Sequence, residues 1–178
     1  MDAADGARAA ITSAIARLSA ANARTESLAE LRTPRRIGPV RRASKLVPVA
    51  EVWRLGVLLL SAGLEGTGPD DTGRLFATGA VTQARDPRHP NFTSVSGEER
   101  REVREAARRA GFAAGQVVNF DALPLPLDGT LGSVGPLVLR DGQLFVSWDA
   151  TRVPASLTPF AAYLAERVEL LVDPPLGT

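Results

Sequence analysis

Asp86, His89, Ser94 and Ser96 fall within eleven residues of one another. A serine, an imidazole and a carboxylate are the parts of a nucleophilic hydrolase: the imidazole takes the hydroxyl proton and the carboxylate orients the imidazole. His89 is the only histidine, so a triad here has to pass through it. Triads are usually assembled from separate elements, however, and Ser96 has a competing role as a helix cap. A histidine between Arg88 and Pro90 is most simply a solvated loop residue. Lys45, the only lysine, stands next to Ser44 and is the sole candidate for serine–lysine chemistry. With no cysteine in the chain, thiolate nucleophiles, disulfides and cysteine zinc sites are excluded. Asp70, Asp71, Asp86 and His89 lack any recognised metal-ligand spacing. Gly63, Gly66 and Gly68 precede a strand pattern and no Gly-Lys-Ser/Thr, so no phosphate loop is expected. No cofactor and no metal are anticipated.

Charge suggests binding more readily than catalysis. The 178 residues carry 21 basic and 20 acidic side chains, and 44% are hydrophobic, as in an ordinary globular domain. Residues 1–60 hold ten basic against five acidic groups, whereas residues 61–178 hold eleven against fifteen. Between Arg32 and Lys45 lie six positive charges, no negative ones, two prolines and a glycine, which predicts a basic arm that no helix can cross. Arg35, Arg36, Arg41, Arg42 and Lys45 are the groups there that would hold an anion, an acidic partner or a nucleic-acid backbone. The plainer alternative is a connector lying on the acidic remainder of its own chain. Aromatic residues make up only 5% and none interleaves with the arm, which argues against stacking on single strands. The longest apolar run, Gly56–Leu60, is far short of the ~20 residues of a membrane span. The acidic residues Asp2 and Asp5 stand where a secretory signal would be basic, so a cytoplasmic protein is expected.

Periodicity supplies the elements. Ala7, Ile11, Ile15 and Leu18 predict a helix over residues 6–24 with Asp5 as its cap, packing across the domain or against a second copy as a homo-oligomer. Val52–Leu60 reads as one strand and Arg74–Gln83 as its returning partner, where the small residues Ala77, Gly79 and Ala80 imply close packing. Ser96-Gly-Glu-Glu99 is a capping box for a helix ending near Gly111, with Val103, Ala106, Ala107 and Ala110 as its apolar stripe. Gln116–Phe120 is a strand, and the alternating prolines of Leu123–Leu127 place that segment at an edge. Asp141-Gly142 forms a two-residue hairpin turn that sets Leu139 opposite Leu144 and Leu137 opposite Val146. Thr158 and Pro159 open a last helix whose stripe is Phe160, Leu164, Val168 and Leu171, and Asp173-Pro-Pro ends it. These elements make an α+β fold, mainly antiparallel and built from hairpins, with helices on one face. Residues 1–45 form an N-terminal helix and arm, and residues 46–178 one domain.

Val52–Leu60, Leu75–Thr82, Ser96–Arg101 and Ala162–Leu171 together resemble a family of small proteins from high-GC bacteria that carry the label glutaminase. The resemblance covers about Leu46 to the C-terminus and implies hydrolysis of a side-chain amide. Serine-type glutaminases use Ser-x-x-Lys, but here Arg42 stands three residues before the lone lysine. The chain is therefore expected to be a non-catalytic bacterial protein working through protein or small-ligand contacts. The alternatives are a glutaminase-like amidohydrolase and nucleic-acid association through the arginine-rich arm.

Overall fold

The structure, a computed structural model, describes residues 2–32, 44–63, 73–84, 95–128, 134–149 and 156–175, with backbone alone at 63, 95–99 and 149. Among these residues it is an α+β protein of three helices and ten strands, paired mostly antiparallel. No described helix is long and apolar enough to cross a membrane. The chain folds into two compact units, the first made of residues 1–25, 52–78 and 123–178 and the second of residues 26–51 and 79–122.

Unit 1 holds α1 (Ala3–Ala20), the end of β2 (Lys45–Leu55), β3 (Leu58–Gly63), β4 (Leu75–Ala77), β7 (Leu123–Leu125), β8 (Leu137–Arg140), β9 (Gln143–Asp149), β10 (Ser156–Pro159) and α3 (Phe160–Val172). Its strands run β2-β3-β4-β7 in one sheet and β10-β9-β8 in another. One apolar core joins Ala7, Ile11 and Leu18 of α1 to Leu58 and Leu60 of β3, Leu144 and Val146 of β9, and Phe160, Leu164 and Val168 of α3. The stripe on α1 is thus used within the domain. The helix starts three residues earlier than expected: Asp2, without a side-chain bond, stands at the cap, and Asp5 lies in the first turn. It ends with Asn22 at φ 55°, where Ala23 N–H reaches the Leu18 carbonyl in a six-residue closure.

Val52–Leu60 is not one strand. Gly56 takes φ +65° and turns the chain between β2 and β3, which places Leu58 and Leu60 in the core beside Leu75 and Ala77. The buried Tyr163 hydroxyl accepts from Val57 N–H at 3.0 Å and donates to the Leu55 carbonyl at 3.1 Å, pairing two backbone groups that a two-residue turn leaves open. A Cβ on Gly56 would meet that hydroxyl. Arg167 stacks on the ring of the same tyrosine, its guanidinium 5.2 Å from the Tyr163 ring centre.

The proposed return from Arg74 to Gln83 also divides. β4 comes back beside β3 as expected, and then the chain breaks at Thr78-Gly79 and β5 (Ala80–Gln83) leaves for unit 2. The hairpin Leu137–Trp148 has the expected register, with Leu137 opposite Val146 and Leu139 opposite Leu144, and Asp141 and Gly142 both have positive φ. Leu123-Pro-Leu125 is the edge strand β7, paired only with β4. Thr158 does not cap α3: it belongs to β10, pairing with Val146, and Pro159 takes the cap position.

Unit 2 holds β1 (Glu26–Arg32), the start of β2, β5, α2 (Val95–Arg109) and β6 (Val117–Phe120), with strand order β5-β6-β1-β2. β1 was not apparent in the sequence because it has no apolar alternation: Ser27 and Leu28 are both buried although they face opposite sides. It pairs in parallel with β6, Ser27 against Val118. The arm's two ends are therefore strand residues, Arg32 closing β1 and Lys45 opening β2. α2 begins at Val95, which puts Ser96 inside the helix and not at its cap. Its stripe is as expected, Ala106 and Ala107 being fully buried against Ala29, Leu46, Ala84 and Val118, with Val103 and Ala110 at the margin. The close approach implied by Gly79 is to backbone, since a Cβ there would strike Asp121.

Two expectations follow. Tyr163→Phe leaves Val57 N–H and the Leu55 carbonyl without their partner and should lower the unfolding free energy in urea by about 1–3 kcal/mol. Gly56→Ala should cost less in that background than in the wild type, because the hydroxyl it strikes is gone. On the surface, Arg17 donates to both carboxylate oxygens of Glu169, at 3.0 and 3.2 Å, tying α1 to α3. The hydrogen bonds, and then the charge of Arg17, hold the Glu169 carboxyl below its usual value of 4.5. A carboxyl depressed by folding stabilises above its unfolded pKa and stops doing so as the pH falls through the folded one. The stability difference between wild type and Glu169→Gln should therefore be constant from pH 7 to about 5 and shrink below about 4.5. A difference that grows on acidification would contradict this pairing.

Candidate ligand groove beside helix α2

Most residues singled out from the sequence lie outside the described residues: Asp86, His89 and Ser94, the side chain of Ser96, and Arg35, Arg36, Arg41 and Arg42 of the arm. Lys45 is described and exposed at the start of β2. Its neighbour Ser44 is already engaged, its hydroxyl donating to Glu102 Oε1 at 2.9 Å and its carbonyl accepting from Arg109 at 3.2 Å. Those bonds fasten the strand start to α2. Among the described residues no three His, Cys, Asp or Glu side chains are grouped to hold a metal ion.

Unit 2 contains a polar network that sequence inspection missed. Ser27, 3% exposed, donates to Glu51 Oε1 at 2.9 Å and accepts from Gln116 Nε2 at 2.7 Å. Gln116 in turn accepts from Ala113 N–H at 2.8 Å. Asn119, 1% exposed, donates to Glu26 Oε2 at 2.8 Å and to the Ser27 carbonyl at 3.2 Å. A serine donating to a carboxylate has the outline of an activated nucleophile, but its lone pair is taken by Gln116 and it is covered. The network satisfies polar groups that burial would otherwise penalise, and so fixes β1 beside β6. Only a polar residue inside an unrecognised strand signalled it, and β1 had no alternation to make that visible.

The concave site of this unit lies between α2 and β5. Val81, Thr82 and Gln83 of β5, Phe120 of β6, and Arg100, Val103 and Arg104 of α2 line a groove of about 590 Å³, within the size range of small-ligand sites. Ala106 and Ala107 of α2 are fully buried against the sheet, and Val103 with the two arginines, earlier in the helix, lines the groove. Val81 is 49% exposed and Phe120 8%, so the floor is apolar and open on the β5 side. Arg100 and Arg104 are one helical turn apart, and Arg108 follows at the same spacing. Like charges at that spacing cost a helix a few tenths of a kcal/mol per pair. Arg101 is paired with Glu105 at 3.3 Å, whereas Arg104 makes no hydrogen bond or ion pair among the described residues. The arginine spacing was legible in the sequence but looked like a solvated helix face, and nothing local places β5 beside it.

The two features of this unit are separable by mutation. Ser27→Ala removes the link between Glu51 and Gln116 and should cost about 1–3 kcal/mol in urea unfolding, since both partners lose a bond in a half-buried place. A cost near zero would show that water replaces the hydroxyl. No known protein family, curated protein or solved structure was found to match this chain.

Proposed function

We propose that this is a non-catalytic binding protein that holds an anionic ligand against an apolar surface in the groove between α2 and β5. The observation that carries this is the pair Arg100 and Arg104 beside the exposed Val81 and the Phe120 floor. Guanidinium groups stay protonated at all physiological pH values, so they provide fixed positive charge and fork-like donors. Among the described residues, the lining side chains include no group that titrates near neutrality and could move a proton. Such a lining suits recognition of a carboxylate or phosphate attached to an apolar body. This function falls within the protein or small-ligand contacts expected from the sequence, but on α2 instead of the basic arm.

Decanoate, a carboxylate on an alkyl chain, is a suitable probe. Titrated into the ¹⁵N-labelled protein, it should shift the amides of Val81–Gln83, Val103 and Phe120, and Arg100→Ala with Arg104→Ala should weaken binding about fivefold or more. Absence of shifts at these residues, or binding indifferent to the two substitutions, would refute the proposal.

A further inference from the structure

We infer that the natural occupant of this groove is an extended acidic segment of a partner protein, which adds as a strand to the outer edge of β5. The inference rests on the anion-binding function proposed above and names its ligand class. β5 ends the strand order of unit 2 and pairs with β6 on one side. Ala84 N–H bonds to the Gln116 carbonyl at 3.1 Å, and the β5–β6 register continues in step through Thr82 with Val118 and Ala80 with Phe120. In an antiparallel ladder, residues bonded across the pair alternate with residues whose N–H and C=O point away. The backbone groups of Val81 and Gln83 therefore point outward from the sheet, at the mouth of the groove.

Spacing selects the occupant. Arg100 and Arg104 are separated by about 6 Å of helix rise, and side chains at i and i+2 on one face of a strand by about 6.7 Å. A strand laid along β5 with acidic residues at alternate positions brings one carboxylate to each guanidinium, while its backbone completes the ladder and its apolar residues meet Val81. A single small carboxylate would engage one arginine and leave the edge of β5 unused. Charge and hydrogen-bonding geometry thus favour the same ligand. Among the described residues of this edge, Ala80–Gln83, there is neither proline nor charge to oppose such pairing.

The test uses the full chain and acetyl-Thr-Glu-Val-Glu-Val-Thr-amide, whose two acids share a face, with acetyl-Thr-Glu-Glu-Val-Val-Thr-amide as a control whose acids do not. The first should bind about tenfold more tightly than the second, and Arg100→Glu with Arg104→Glu should abolish the preference. Val81→Pro removes an outward N–H without touching the β6 ladder. It should weaken the first peptide about tenfold, and amide shifts unchanged in β1 and β6 show that the variant is folded. Independently of any variant, the peptide N-methylated at one set of alternate residues should lose binding, and at the other set keep it. Equal binding of both peptides, or of both N-methylated forms, overturns strand addition. Decanoate binding without peptide binding overturns it too and leaves the anion-binding function standing; failure of both ligands overturns both.

Discussion

Every strand that ends a sheet exposes backbone donors and acceptors, and how this chain disposes of them governs most of its structure. In unit 1 the terminal strand β7 is written Leu-Pro-Leu, with a second proline following, so part of its donor row is missing. The turn between β2 and β3 leaves Val57 N–H and the Leu55 carbonyl open, and Tyr163 supplies one hydroxyl for both. In unit 2 the backbone at β1 and β6 is joined by Asn119, Ser27 and Gln116. Among the described residues, β5 presents an edge without proline or charge, beside Arg100 and Arg104.

The parts of the fold that were legible in the sequence are those decided by neighbours in the chain. The hairpin at Asp141-Gly142 was readable to the register because the turn type fixes the pairing. The stripes of α1, α2 and α3 were readable because each faces one core. The prolines of β7 indicated an edge for a reason local to proline. Elements decided by distant contacts were misread. Val52–Leu60 looks like one apolar run, but Gly56, lacking a Cβ, takes positive φ there and Tyr163, more than a hundred residues later, closes the turn. β1 showed no pattern because both of its faces are covered and one of its buried residues is a serine held by Glu51 and Gln116.

The site was less legible than the fold. The basic arm and the single histidine and lysine are what stand out in the sequence, the last two by rarity. Of these basic groups and the histidine, Arg32 and Lys45 at the arm's two ends are among the described side chains, both exposed at strand ends. Arg100 and Arg104 are two arginines among twenty, on a helix that also carries Glu102 and Glu105. What distinguishes them is the strand alongside, contributed by residues 80–83, and the groove they line with it. Neither fact is encoded in the spacing of the arginines. A ligand that combines an extended backbone with alternating acids uses each component: the outward groups of Val81 and Gln83, the exposed valine and the two guanidinium groups.

The most direct measurement is an NMR structure of the full chain with the acidic strand peptide bound. Strand addition requires close intermolecular contacts between the peptide backbone and the backbone protons of Val81 and Gln83, with the glutamates beside Arg100 and Arg104. Peptide contacts confined to the solvent face of α2, or to the basic arm, with no backbone pairing at β5, would contradict it.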